Sequence, residues 1–216
     1  MTSSHVWDLR RSPALDPIRA HRLMAILRRV EPRSRLESFV DELVADGVHA
    51  LEITFDSPNG PDDLRAIRQR LRERGVDEVV VGAGTVTTRE GVDAAVAAGA
   101  AFAVSPVTDP DLIARAVAAG LPFIPGACTP TEILSAWRAG AAFVKVFPAS
   151  TVGPTHIREV RGPFSDLELI ATGGVDGANA RAFVDAGCVA VGVGGWLLRA
   201  PRDDRRDLVA SLDARP

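Results

Sequence analysis

Short apolar runs alternate with longer amphipathic segments from residue 23 almost to the end of the chain. The runs have the length of β-strands and read LMAILR (23–28), HALEITF (49–55), EVVVGAGT (78–85), AFAVSP (101–106), PFIPG (122–126), AFVKVFP (142–148), LELIATGG (167–174) and VAVGVGG (189–195). Several of the helical segments between them end at a glycine, namely Gly99, Gly120, Gly140 and Gly187. Glycine adopts the left-handed conformation that ends a helix without steric cost. The pattern therefore predicts eight strands, each followed by a helix.

Strands that alternate with helices form parallel sheets, and eight such strands can close into a barrel. We therefore expect an α/β fold, a (β/α)8 TIM barrel that occupies residues 21–216 as a single domain. Residues 1–20 are polar and contain two prolines, which predicts a loose N-terminal leader. The alternative is an open, doubly wound sheet, but no GxGxxG motif follows the first strand.

The composition argues against several classes of function. The net charge is −3 and the arginines are dispersed among acidic residues, so we expect no nucleic-acid partner. The longest strongly apolar stretch, residues 188–198, is too short and too glycine-rich to span a bilayer, and no signal peptide precedes the barrel. Cys128 and Cys188 are far apart, and the four histidines form no metal-binding pattern. These features predict a cytoplasmic protein without a disulfide, a bound metal or a membrane partner.

Lys145 is the most informative residue, because it is the only lysine among 25 lysines and arginines. It lies inside the apolar run AAFVKVFP, at residues 141–148. Arginine stays charged at all practical pH values, whereas a desolvated lysine can lose its proton and attack a carbonyl carbon. The position of Lys145 therefore predicts a nucleophilic amine. A structural ion pair buried in the strand is the alternative.

Side chains of a barrel strand alternate between the lumen and the helix layer. In the second strand, Leu51 and Ile53 are apolar and should face the helices, which directs Glu52 into the lumen. The same rule directs Lys145 and its neighbours Phe143 and Phe147 inward in the sixth strand. A carboxylate and an amine are thus predicted to share one lumen.

Further candidate residues stand at the carboxyl ends of the predicted strands, where barrel enzymes carry out their chemistry. These residues are Arg28, Thr85, Ser105, Pro106 and Thr172. Two glycine pairs, Gly173-Gly174 and Gly194-Gly195, follow the seventh and eighth strands, where barrels often hold a phosphate on backbone N–H groups. The lining predicts an anionic keto acid with a phosphate tail as the ligand.

The ordered motifs GVHALEITF, VGAGTV, FAVSP, IPGACTPTE, FVKVFPAS, ATGGV and AVGVGGWL resemble the class I 2-keto-3-deoxy-6-phosphogluconate (KDPG) and 4-hydroxy-2-oxoglutarate (KHG) aldolases. The resemblance covers roughly residues 23–200. It implies that Lys145 is the Schiff-base lysine and Glu52 the general acid/base. It further implies that the keto-acid pocket is lined by Thr85, Pro106 and Phe147, and that the distal phosphate is held by Gly173, Gly174, Gly194 and Gly195. It also implies a homotrimer.

The sequence departs from the family pattern at two positions. Some members carry an arginine four residues after the catalytic glutamate, where this chain has Asp56. Arg28 matches the strand-one arginine of other members and would bind the substrate carboxylate instead. Many members also carry serine where this chain has Gly195.

Together with the residue types, the resemblance implies a lyase that cleaves a 2-keto-4-hydroxy acid into pyruvate and an aldehyde, with no metal or organic cofactor. The aldehyde would be glyceraldehyde 3-phosphate or glyoxylate. Two alternatives remain open at this stage. One is a phosphate-binding isomerase or synthase barrel in which Lys145 only stabilises charge. The other is a barrel that binds a keto acid without turning it over.

Overall fold

The computed structural model describes residues 9–213, and parallel β-strands form its centre. The strands are β1 (Leu23–Leu27), β2 (Ala50–Thr54), β3 (Val80–Gly84), β4 (Ala103–Val104), β5 (Phe123–Ile124), β6 (Gly126–Ala127), β7 (Val144–Val146), β8 (Leu169–Thr172) and β9 (Ala190–Val193). Their order in the sheet is β5-β4-β3-β2-β1-β9-β8-β7-β6. All pairings are parallel, as the alternation with helices predicts.

The sheet closes into a barrel at Pro125, which separates β5 from β6. The Ala142 N–H donates to the Phe123 carbonyl (2.8 Å), and the Lys145 N–H donates to the Pro125 carbonyl (2.9 Å). The predicted fifth strand is therefore two short strands, β5 and β6. The sheet of the described residues has nine strands instead of the expected eight. Proline has no N–H to donate, so it interrupts a strand where the ladder would need one. The (β/α)8 barrel itself is confirmed.

Helices surround the barrel and connect its strands. They are α1 (Asp16–His21), α2 (Arg33–Ala45), α3 (Gly60–Glu73), α4 (Arg89–Ala98), α5 (Pro110–Ala118), α6 (Pro130–Arg138), α7 (Ala149–Arg161), α8 (Ala180–Asp185), α9 (Gly195–Arg199) and α10 (Arg202–Asp213). The helix that follows β7 begins five residues before the predicted start at Pro154, although Gly153 interrupts it with φ 72°. None of the helices in residues 9–213 is long and apolar enough to cross a membrane.

The apolar core has two layers because strand side chains alternate. The outer layer packs strands against helices and includes Leu51, Ile53 and Val144. The inner layer fills the barrel and includes Phe143, together with Met24, Ala50, Phe102 and Ile170. The alternation predicted for β2 and β7 is therefore the alternation observed.

The amino-terminal segment closes one end of the barrel. Residues 13–15 form a 3-10 turn that leads into α1, and Leu15 and Ile18 are fully buried in the inner layer. The predicted loose leader is thus wrong for residues 13–20, because two apolar side chains anchor this segment to the barrel interior. Residues 1–8 of the predicted leader lie outside the described residues.

Candidate active site

Glu52 and Lys145 lie at the centres of β2 and β7, on strand positions that face the lumen. Glu52 is 0 % exposed and Lys145 is 4 % exposed. Their strand neighbours Leu51 and Val144 belong to the outer apolar layer. Both side chains therefore have the inward orientation that the sequence pattern predicts, and the barrel shields both from water.

The Glu52 carboxyl group is buried without a hydrogen bond from any described residue to stabilise it. Neither of its oxygens has a hydrogen-bond partner among the described residues. Burial raises the pKa of Glu52 above its ordinary value of 4.5, and the charges of Lys145 and Arg28 oppose that rise. A carboxyl group with a raised pKa can accept and return a proton nearer to neutral pH.

The Lys145 amine is desolvated in the same lumen. Its Nζ lies 5.0 Å from the centroid of the Phe147 ring. Burial lowers the pKa of Lys145 below 10.5; the carboxylate of Glu52 opposes the shift and the guanidinium of Arg28 adds to it. Burial thus moves both pKa values toward neutrality, which favours the reactive forms of an amine nucleophile and a proton carrier.

Arg28 stands just after β1, at the mouth of the lumen. Its Nη2 donates to Thr85 Oγ1 at 3.3 Å, and its Nη1 lies 3.6 Å from Asp56 Oδ2. Thr85 has a φ of 56°, in the left-handed region that a β-branched residue rarely adopts. The three side chains link the ends of β1, β2 and β3, and they place a guanidinium where the lumen opens.

A cavity of about 440 Å³ opens at this end of the barrel. Its lining includes eight residues that the sequence singled out, which are Arg28, Lys145, Phe147, Thr172, Gly173, Gly174, Gly194 and Gly195. Thr172 Oγ1 is buried and has no hydrogen-bond partner among the described residues. Gly192 leaves room for that hydroxyl, because a β-carbon at residue 192 would lie 2.7 Å from it.

Four candidate residues from the sequence do not line this cavity, and one of them is Ser105, which is fully buried and accepts a hydrogen bond from the Val107 N–H at 3.3 Å. Glu52 is enclosed within the lumen, where its pKa responds to the charge of Lys145. Thr85 reaches the site only through its hydrogen bond with Arg28. Pro106 packs its backbone against Gly126, at the point where β6 begins. The cavity is therefore formed by residues at the carboxyl ends of β1, β7, β8 and β9, and not by residues at the end of β4.

The cavity also contains residues that the sequence did not reveal, namely Ile26, Val175, Asp176, Trp196, Leu198 and Arg199. Arg199 follows Gly195 by four residues, which is one helical turn. This spacing indicates that the two residues are neighbours only once α9 is known to begin at Gly195. No cluster of three or more potential metal ligands occurs in residues 9–213.

A parallel (β/α)8 barrel with a buried amine, a buried carboxyl group and a cavity at its carboxyl end has the organisation of a barrel enzyme. The sequence model of the KDPG and KHG aldolases matches residues 16–210. The chain belongs to this aldolase family, and aldolases are lyases.

Individual relatives agree with the family assignment. The chain is 36% identical over 185 residues to 2-dehydro-3-deoxy-6-phosphogalactonate aldolase of Escherichia coli K12, covering 85% of this chain and 88% of that one. It is 36% identical over 168 residues to 2-dehydro-3-deoxy-phosphogluconate aldolase of Pseudomonas aeruginosa PAO1, covering 77% and 74%. A crystal structure of the 4-hydroxy-2-oxoglutarate/2-dehydro-3-deoxyphosphogluconate aldolase from TTHB1 superposes with a TM-score of 0.79 at 33% identity, over 93% and 96% of the two chains.

Proposed function

We propose that this aldolase works through a Schiff base on Lys145. The observation that carries the proposal is the burial of the chain's only lysine in the same lumen as an unpartnered carboxyl group. The two groups form no salt bridge with each other within 4.0 Å in the described residues, so neither holds the other in place. An arginine at residue 145 would keep the charge and lose the nucleophile.

The reaction begins when neutral Nζ attacks the C2 ketone of a 2-keto-4-hydroxy acid. Glu52 donates a proton to the leaving hydroxyl of the carbinolamine, and loss of water produces a cationic imine that withdraws electrons from C3. Glu52 accepts the proton of the C4 hydroxyl, the C3–C4 bond breaks, and its electron pair forms an enamine while the aldehyde leaves. Glu52 returns a proton to C3, and water then hydrolyses the cationic imine to pyruvate and the neutral amine, while Glu52 takes up the proton that this step releases.

The remaining site residues bind and orient the substrate in this proposal. Arg28 would bind the C1 carboxylate, because it is the guanidinium nearest the end of β1 and influences the pKa values of both Glu52 and Lys145. The keto-acid pocket would be completed by Thr85, Pro106, Phe147 and Thr172. The distal phosphate would be held by Gly173, Gly174, Gly194 and Gly195.

The names of the relatives suggest the substrate class. We infer a phosphorylated 2-keto-3-deoxy sugar acid such as KDPG or its galactonate epimer, or the shorter 4-hydroxy-2-oxoglutarate, acted on in the cytoplasm. The resemblance to the family supports a homotrimer, which light scattering of the purified protein would test directly.

Borohydride trapping tests the mechanism. Pyruvate is added at saturation, the imine is reduced, and the adduct is located by intact mass and peptide mapping. Because the chain has one lysine, the N-terminal amine is the only competing primary amine. We expect one adduct on the peptide that contains Lys145, and none in the matched variant Lys145→Arg. The absence of an adduct in folded protein would refute the Schiff base and favour the hypothesis of a noncovalent isomerase or synthase.

A further inference from the structure

Arg199 brings a second guanidinium to the cavity that holds Lys145. It is the last residue of α9, it is exposed, and it lines the same cavity as Arg28 and Thr172. Many arginines of this chain are paired with carboxylates, as Arg115 is with Asp93 and Arg202 with Asp46. No hydrogen bond or ion pair engages the Arg199 side chain within residues 9–213. Its donors are therefore available to a ligand.

Gly195 leaves the space that this guanidinium occupies. A β-carbon at residue 195 would lie 2.9 Å from Nη1 of Arg199 and 3.7 Å from Cζ. Side chains of a helix lean back toward its amino terminus, so a residue four positions later covers the position of Gly195. A side chain at residue 195 would displace the guanidinium from this position, so the two residues act as a pair.

The charges around the cavity favour a ligand that is negatively charged at both ends. Arg28 supplies positive charge at the lumen, as does the cationic imine on Lys145 once it has formed, and Arg199 supplies it on α9. Asp176 is the acidic residue of the lining, but its Oδ1 already accepts hydrogen bonds from the N–H groups of Ala178 and Asn179. With Lys145 bonded to C2 and Arg28 on the C1 carboxylate, Arg199 is left to face the far end of the substrate.

We infer that Arg199 is a specificity-determining residue that binds the terminal phosphate monoester of the substrate, and that Gly195 permits this contact. The inference rests on the proposed Schiff-base reaction. A guanidinium offers two parallel N–H donors that match two phosphate oxygens. The contact would distinguish a phosphorylated keto acid from the same keto acid without phosphate.

The test compares kcat/KM for 2-keto-3-deoxy-6-phosphogluconate with kcat/KM for its unphosphorylated counterpart. In Arg199→Ala the ratio of the two values should fall by about 10-fold to 150-fold, the range of a lost hydrogen bond to a charged group. Gly195→Ala adds a methyl group and no donor, so it should lower the ratio in the same direction. The two changes together should lower it by less than the product of the single effects.

Arg35→Ala is the matched control, because Arg35 is an exposed arginine on α2, away from the cavity lining. It should leave the ratio unchanged, which separates a specific contact from a change in net charge. Pyruvate trapping by borohydride should proceed in Arg199→Ala, since pyruvate has no distal group.

The outcomes separate this inference from the proposed function. An unchanged ratio in Arg199→Ala, or an equal loss on both substrates, would overturn the role of Arg199. A wild-type enzyme that cleaves only unphosphorylated substrates would overturn it as well. An unchanged ratio in Gly195→Ala alone would overturn the role of Gly195. A wild-type protein that traps no pyruvate would instead refute the proposed function.

Discussion

Gly84 lies directly against Glu52. A β-carbon at residue 84 would overlap Oε1 of the Glu52 carboxylate, and it would also lie 2.5 Å from Cγ. The neighbouring strands β2 and β3 set this contact, because Thr54 pairs with Gly84 and Glu52 pairs with Gly82. The absence of a side chain at residue 84 therefore determines where the buried carboxyl group can sit.

Gly84→Ala should displace Glu52 and lower kcat while the protein remains folded. Overpacking of a filled core costs about 1–3 kcal/mol of stability, and loss of a positioned proton carrier costs about 10²-fold to 10⁴-fold in rate. Steady-state cleavage and thermal unfolding measure the two effects. Gly91→Ala in α4 is the control and should keep full activity. Normal kcat in Gly84→Ala would show that Glu52 tolerates displacement.

Glu52→Gln should change how stability depends on pH. Because burial raises the pKa of Glu52 above 4.5, the folded protein binds more protons than the unfolded chain above that pH. The wild type therefore loses stability as pH rises from about 4.5 through the raised pKa, with a slope of at most about 1.4 kcal/mol per pH unit from this group. Glutamine does not titrate, so the variant should lack this loss.

Urea unfolding between pH 4 and pH 8 would reveal the difference between Glu52→Gln and the wild type. The variant should gain stability relative to the wild type as pH increases. Glu90→Gln removes an exposed carboxylate and should follow the wild-type curve. Parallel curves for Glu52→Gln and the wild type would mean that Glu52 has no raised pKa.

The sequence predicts the central site better than its periphery, for a physical reason. Glu52 and Lys145 lie inside strands, where alternation determines the direction of a side chain. Arg199 and Asp176 lie beyond strand ends, so their approach to the cavity depends on how α9 and the β8 connection fold. The prediction of a loose leader was wrong for a similar reason. Its composition is polar overall, and the burial of Leu15 and Ile18 depends on the open end of the barrel, which forms only when the sheet has closed.

Arg28→Ala should raise KM for keto-acid substrates. Loss of a hydrogen bond to a charged group costs about 1.5–3 kcal/mol, which corresponds to about 10-fold to 150-fold in kcat/KM. Asp56→Asn weakens the partly exposed ion pairs of Asp56 with Arg28 and Arg29, so its effect should stay below about fivefold. Arg29→Ala is the matched control, because Arg29 contacts the same Asp56 but does not line the cavity. An equal loss in Arg28→Ala and Arg29→Ala would contradict a direct role for Arg28.

Leu15→Ala should destabilise the barrel although it lies in the segment before the first strand. Leu15 is fully buried in the inner apolar layer with Ile18, Met24 and Phe143. Removal of a buried leucine side chain costs about 2–5 kcal/mol, whereas truncation of an exposed residue stays within about 0.5 kcal/mol. Val107→Ala, at a residue that is 51 % exposed, provides that comparison in the same urea titration. Equal midpoints for the two variants would show that the segment before β1 does not contribute to the stability of the barrel. A lower midpoint for Leu15→Ala alone, with pyruvate trapping retained, would support the role of this segment in closing the end of the barrel opposite the active site.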